Sequence, residues 1–301
     1  MLQPTRFAAG EPGTRTDALW AKRKEGKVVM NHEKLNLRHV QETLLLPLWG
    51  RAKETKKKKP LLVDPNALSI INTVNYDFTT IKKNIHPLSR AAWIARSIYF
   101  DKKIKAFLEK NSSGTIINLG CGLDTTYDRV DNGKAFWYEL DLPDVIELRR
   151  EYIKETKRRV FISDSVLSKT WYQKINQKKS VLLLMAGVIY YFRENEVKDL
   201  FNEISKHFLS CEIIFDYCSV NGVKIANKKV IEKGGMSEGS YLQWGIDNIY
   251  DIEKWDSCIR VIENCGMFAE HKRKYPFLRR FGMYISDRLK VMSLAHIEIS
   301  Q

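Results

Sequence analysis

The chain reads as an α/β protein with a doubly wound, mostly parallel sheet, and three observations lead there. Apolar strands and helices alternate between about residues 115 and 216, a pattern that sets parallel strands side by side with crossover helices between them. The first strand breaks into a Gly-x-Gly turn within Thr115-Ile-Ile-Asn-Leu-Gly-Cys-Gly-Leu-Asp124. Gly120 and Gly122 lack a Cβ, so the backbone can fold sharply there and approach a ligand closely. A strand's length later, Ala135-Phe-Trp-Tyr-Glu-Leu-Asp-Leu-Pro143 is a second apolar strand ending in Glu139 and Asp141. A carboxylate about 20 residues past such a turn is where this kind of sheet grips a ribose. Together the two segments describe a nucleoside-type cofactor site.

The elements follow in order. Residues 1–33 carry Pro4, Gly10, Pro12, Gly13 and Gly26 with few apolar residues, so they are expected to be a poorly ordered extension. Residues 34–301 are expected to form one domain. Leu37 to about Glu54 shows a helical stripe interrupted by Pro47. Residues 66–85 are mixed, and 89–110 read as an amphipathic helix with Ala92, Trp93, Ile98, Phe100, Ile104 and Leu108 at core spacing. Strands are expected at 115–119, 135–140, 159–163, 181–186 and 212–216, with helices at 124–131, 143–157 and 194–208. Residues 217–250 contain five glycines and no clear period. That is too long for a plain connection and reads as a lid insertion. A strand near 268–274, a helix near 277–289 and a last, antiparallel strand near 291–299 close the chain.

The missing part of the glycine motif narrows the cofactor. A dinucleotide fingerprint needs a third glycine for helix packing around a pyrophosphate. This chain has Asp124-Thr125 there. An acidic side chain repels a diphosphate but suits a ligand bearing a sulfonium and an ammonium group.

On these residues, on Val40-Gln-Glu-Thr-Leu-Leu-Leu-Pro-Leu-Trp-Gly-Arg51, on Ala95-Arg-Ser-Ile-Tyr-Phe-Asp101, on Leu184-Met-Ala-Gly-Val-Ile-Tyr-Tyr-Phe192 and on Tyr275-Pro-Phe-Leu-Arg-Arg280, the chain resembles the leucine carboxyl methyltransferase family, in its polyketide-type O-methyltransferase branch. The resemblance covers roughly residues 34 to 299. It implies a class I methyltransferase domain and S-adenosyl-L-methionine as cofactor. It further implies that Arg96 pairs with the methionine carboxylate of the cofactor, for which a guanidinium fork is suited. Gly120, Gly122 and Asp124 would form the turn beside the cofactor. Asp141 would hold the ribose, with Glu139, two residues back on the same strand face, as the alternate. Asp164 and Ser165 would hold the adenine ring, the other reading being a simple cap. Where the leucine carboxyl methyltransferases proper have an acidic residue after the fourth strand, this chain has Ala186, which weighs against a protein C-terminus as acceptor. Tyr191, on the same loop, is the candidate acceptor-pocket residue. No nucleophilic triad or paired-carboxylate arrangement can be located, so no catalytic base is named.

Composition agrees with an enzyme of this size: 301 residues, 44% hydrophobic and 29% charged. No apolar run approaches the ~20 residues needed to span a bilayer, and no membrane partner is expected. Five cysteines without paired spacing point to a reduced, cytoplasmic setting, and the six histidines supply no metal-ligand pattern. The net charge of +14 invites a nucleic-acid reading, but no aromatic-interleaved RNA-binding pattern accompanies it. The charge is read as a solubility trait. The expected activity is methyl transfer to a carboxylate or hydroxyl of a small molecule. The alternatives are methylation of a protein or tRNA carboxyl and cofactor binding without catalysis.

Overall fold

The computed structural model describes residues 44–79, 83, 85–176, 180–232 and 240–301. The extension expected over 1–33, the first residues of the helix expected from Leu37, and Gly234, Gly235 and Gly239 of the expected lid lie outside the described residues. A seven-stranded sheet organises the described chain, in the order β3-β2-β1-β4-β5-β7-β6. The strands are β1 (Thr115–Leu119), β2 (Phe136–Asp141), β3 (Arg159–Ser163), β4 (Val181–Met185), β5 (Ser210–Tyr217), β6 (Ile259–Gly266) and β7 (Ser293–Ser300). The pairs among β1 to β5 are parallel, and β7 runs antiparallel to both β5 and β6. β1 and β4 are buried at every position, as expected of central strands covered on both faces. Ile117 and Leu119 of β1 enter one core layer, with Tyr172 and Phe201. Ile116 enters the opposite layer, with Tyr99 and Phe107. The chain leaves β1 toward β2 and β3, then crosses back to β4 on the other side. A crevice opens at that reversal, at the carboxyl ends of β1 and β4.

Ahead of the sheet, the described residues include the helices α1 (Leu45–Thr55), α2 (Pro65–Thr73) and α3 (Pro87–Lys110). Pro47 does not interrupt α1. It lies in the first turn, where the missing N–H has no intrahelical acceptor to lose. α2 falls in the stretch that read as mixed; its start is fixed by Asp64, whose Oδ1 accepts from Ala67 N at 2.9 Å. Leu45, Leu48 and Ala52 of α1 and Ala67 and Ile70 of α2 pack on Cys121 and Leu123 of the glycine turn. α3 is not amphipathic in its first half, because Ala91 through Ser97 are all buried. That half is wedged between the sheet, through Ala91, Ala92 and Ala95, and α1, through Trp93 against Leu46 and Trp49.

Among the described residues, the α-helices that follow are α4 (Thr126–Val130), α5 (Pro143–Tyr152), α6 (Glu194–His207), α7 (Val220–Ala226) and α8 (Phe277–Arg288). α7 belongs to the segment without a visible period. Ser219 caps it, its Oγ accepting from Gly222 N at 3.0 Å, and it runs into a π turn over Asn227–Glu232. Gly222 is a packing glycine: a Cβ there would lie 2.2 Å from Val291 O. The strand expected near 268–274 is instead β6, which precedes it, and 272–274 is a single 3-10 turn. In β6 the register shifts between Val261 and Glu263 and Ile262 faces solvent beside the inward-leaning Val261, so the apolar residues do not alternate and the strand signal is hidden.

Candidate active site

The chain leaves β1 through two left-handed residues, Gly120 (φ +68°) and Gly122 (φ +46°). A side chain at either is strained by the backbone alone. It would also collide with the protein: a Cβ at 120 lies 2.6 Å from Val188 Cγ2, and one at 122 lies 2.8 Å from Leu44 Cδ2. The turn is held from β2. Gly120 N and Cys121 N donate to Leu140 O, and Gly122 N donates to Asp141 Oδ2 at 2.7 Å. Asp141 Oδ1 accepts from Leu142 N at 2.8 Å. Burial raises the Asp141 pKa above the usual carboxylate value, with these two backbone donors opposing it.

Asp124 follows in the same turn. It accepts from Asn118 Nδ2 (3.3 Å) and Thr126 N (3.2 Å), and Arg51 Nη2 lies 3.5 Å from its Oδ1. Burial would raise its pKa, but Arg51 and Arg129 outweigh that and hold the carboxyl well below its ordinary value. The two arginines belong to a buried network. Asp64 Oδ2 receives Arg51 Nε, Arg129 Nη1 and Thr125 Oγ1 at 2.8, 2.8 and 2.6 Å. Arg129 also forks onto both oxygens of Asp101 of α3 at 2.8 and 2.9 Å. The body of α1 at Arg51, the start of α2 at Asp64 and the middle of α3 at Asp101 are thereby tied to the glycine turn.

Across the crevice, Arg96 of α3 reaches the end of β5. Its Nη1 is 2.7 Å from Asp216 Oδ2 and 3.5 Å from the Tyr190 hydroxyl. Asp216 Oδ1 accepts from Gly187 N at 2.6 Å. Burial alone would favour a neutral Arg96, but Asp216 and Tyr190 outweigh it and keep the guanidinium charged. Burial, reinforced by Asp216, raises the Tyr190 hydroxyl far above its ordinary pKa. Met185 is registered with Phe215, so Ala186 and Asp216 stand side by side. The carboxylate absent at 186 has a counterpart one strand over. Its signal was present in Ile213-Ile-Phe-Asp216, an acid closing an apolar strand as Asp141 closes β2.

Arg96, Gly120, Gly122, Asp124 and Tyr191 line one cavity, together with Asn118, Ala186 and Tyr190. The lining also has apolar residues: Leu46 and Pro47 from α1, and Ala226, Val230, Ile231 and Leu242 from the segment after β5, where Ala226, Ile231 and Leu242 pack with Tyr190. That segment is anchored to the loop after β4, with Gln243 N donating to Tyr190 O at 2.7 Å and Gln243 Nε2 to Tyr191 O at 2.9 Å. Glu139 is placed elsewhere. It is fully buried and ion-paired with Arg149 Nη2 and Arg159 Nε, both at 2.7 Å, which leaves it no open side for a ribose. Asp141 touches the glycine turn but, like Asp164 and Ser165, lies outside the cavity lining. Asp164 Oδ1 accepts from Ser165 N, and its Oδ2 binds the Thr170 hydroxyl at 2.6 Å and Lys174 Nζ at 3.3 Å. Ser165 Oγ accepts from Leu167 N at 3.2 Å. Among the described residues no group of His, Cys, Asp or Glu could hold a metal, and no helix is long and apolar enough to cross a membrane.

A sheet in this order, with its last strand reversed and a glycine turn closing β1, defines a class I methyltransferase. Two solved structures share the fold: a proposed methyltransferase from Thermobifida fusca (TM-score 0.57, 11% identity, covering 88% of this chain and 96% of that one) and a duf574 family protein from Streptomyces avermitilis (TM-score 0.56, 9% identity, 86% and 97%). The chain belongs to the leucine carboxyl methyltransferase family, whose model matches residues 45–205. It is 26% identical over 236 residues to the tetracenomycin polyketide synthesis O-methyltransferase TcmP of Streptomyces glaucescens, covering 78% of this chain and 86% of that protein. It is also 26% identical over 274 residues to the S-adenosyl-L-methionine-dependent methyltransferase dpfgK of Gibberella zeae, covering 84% and 92%. The protein is a methyltransferase of that family, and its cofactor is S-adenosyl-L-methionine.

Proposed function

We propose that the enzyme methylates an oxygen of a small, largely apolar acceptor. The observation that carries this reading is the mixed lining of the cavity, where the charged Arg96 and Asp124 and the glycine turn share it with Ala226, Val230, Ile231 and Leu242. The name of TcmP, an O-methyltransferase of polyketide synthesis, agrees with it.

The residues fit the cofactor. The buried, charged Arg96 would take the methionine carboxylate, and Asp124, kept ionised, would sit near the ammonium and sulfonium charges. Each Asp141 oxygen retains a lone pair beyond its backbone bond and would accept from the ribose. The Asp164–Ser165 turn would meet the adenine. S-adenosyl-L-methionine supplies an already activated methyl group, so what the protein adds is mainly alignment of the acceptor oxygen and exclusion of water. Tyr190 stays protonated at neutral pH and serves as a hydrogen-bond donor rather than a base. A carboxylate acceptor needs no base at all. α1 and the segment 217–250 would act as the lid that sets acceptor choice, with Tyr191 on its inner side.

The test is an assay with methyl-labelled cofactor against a panel of aromatic and aliphatic acids and alcohols, read by mass spectrometry, with alkaline hydrolysis separating esters from ethers. Labelling of protein or tRNA with no small product across the panel would overturn the reading.

A further inference from the structure

Helix α8 is turned inside out. Its inward side is Gly282, packed on Leu88 of α3, and the buried Met283. Its solvent side carries Phe277, Leu278, Phe281 and Tyr284, exposed by 76, 85, 60 and 59%, followed by Ile285 and Leu289 at 41 and 51%. That spacing makes one continuous apolar stripe along the helix, and contiguous exposed apolar surface of this kind marks an interaction site. The stripe is set in positive charge. Residues 272–290 hold seven Lys or Arg and one acid, Asp287. Asp287 is turned inward, accepting from Phe268 N at 3.1 Å and Lys272 Nζ at 2.8 Å. Arg273, Lys274, Arg280, Arg288 and Lys290 are exposed around the stripe.

We propose that α8 is a docking surface for an anionic lipid surface, the apolar stripe entering the headgroup boundary and the surrounding Arg and Lys meeting lipid phosphates and carboxylates. Charge decides between occupants. A second copy would set this basic face against itself across a two-fold axis. Residues 1–43 carry eight basic and five acidic residues, so they are net basic too. Shape favours a lipid over an acidic protein: Phe277 and Leu278, the most exposed residues of the stripe, stand together at the first turn of the helix, where they can enter a headgroup layer. A helix with large apolar residues on one side and cations flanking them lies in the plane of a membrane interface. The absence of a spanning segment does not bear on this, since surface docking needs none.

The experiment is flotation of the full chain with vesicles of phosphatidylcholine alone and of phosphatidylcholine with phosphatidylserine. Binding is expected only with phosphatidylserine, and it should be reversed by salt. It should fall about tenfold or more in Phe277→Ser/Leu278→Ser, the effect of withdrawing two large apolar side chains from the interface, and likewise in Arg280→Glu/Arg288→Glu. Both variants should keep the parent's thermal midpoint and S-adenosylhomocysteine affinity. Equal flotation of parent and variants, or equal binding to neutral vesicles, would overturn the proposal. So would vesicle binding that arises only after removal of residues 1–43, or a parent dimer that the serine variant splits without any lipid binding. Capture by polyglutamate in place of vesicles would assign the face to an acidic protein instead.

Discussion

Two sets of residues, one charged and one apolar, meet at the cavity and are built by different physics. In the charged set, each side chain is fixed by another group: Asp141, bound to the glycine turn, by two backbone amides, Asp124 by Arg51 and Asn118, and Arg96 by Asp216. Their charges are taken from water once, on folding, and stay in place, which pre-organises the site for a charged ligand. In the apolar set, Ala226, Val230, Ile231 and Leu242 offer only contact and shape, on a segment anchored by a few backbone bonds to Tyr190 and Cys218, in the loops after β4 and β5. One set can be conserved in chemistry while the other is re-cut for a different acceptor. The difference predicts that mutations in the first set cost stability and cofactor affinity together, and that mutations in the second change selectivity at little structural cost.

The largest expected effect is at Asp216. Asp216→Ala strands the buried Arg96 guanidinium and should lower unfolding free energy by about 3–5 kcal/mol, read from the urea midpoint, and abolish cofactor binding. Adding Arg96→Ala should recover part of that stability, since neither charge is then left alone. Full additivity would show that the pair is not coupled.

Glu139→Ala should be similarly destabilising, about 3–5 kcal/mol, because it leaves Arg149 and Arg159 without their buried anion. Calorimetry with S-adenosylhomocysteine should nonetheless find the folded variant binding close to the parent value. A selective loss of affinity would return Glu139 to the ribose.

Asp141→Ala comes next, with an expected loss of about 1.5–3 kcal/mol in cofactor binding, the range for hydrogen bonds to a charged group. The pH dependence sharpens it. Burial raises the folded-state pKa of Asp141, so its accepting form is lost first as pH falls, and cofactor affinity should decline at a pH above the ordinary carboxylate value. Asp124 is shifted the other way. Its contribution to stability is present above its unfolded pKa and is lost only as pH falls further, through its depressed folded value. Titrations should therefore show affinity failing before the fold does, and coincident losses would contradict the assignment.

The smallest effect is in the apolar set. Ile231→Val removes one methylene and should cost about 0.5–1.5 kcal/mol in stability. The acceptor KM should move by severalfold, consistent with ~1 kcal/mol for a methylene in a pocket, with cofactor affinity unchanged. A shift in cofactor affinity instead would place Ile231 on the wrong side of the comparison.

The sequence by itself determined the strands β1 to β5 and β7, the glycine turn and the acids that close β2 and β3. Those signals are local: apolar runs, Gly-x-Gly and a carboxylate after a strand depend on neighbours a few residues away. It also carried the reversed last strand and Arg96, through motifs shared with a family. Tertiary structure alone decided which of two acids on one face of β2 stays open. Glu139 and Asp141 have the same strand parity, and only the arrival of Arg149 and Arg159 closes the first of them. It also decided that Arg96 is held by Asp216, 120 residues away, and that α1, α2 and α3 meet the glycine turn through Asp64, Asp101 and Arg129. Ion pairs of that separation leave no periodic trace. A buried charge is chosen by what surrounds it in space, and a sequence lists its neighbours only along the chain.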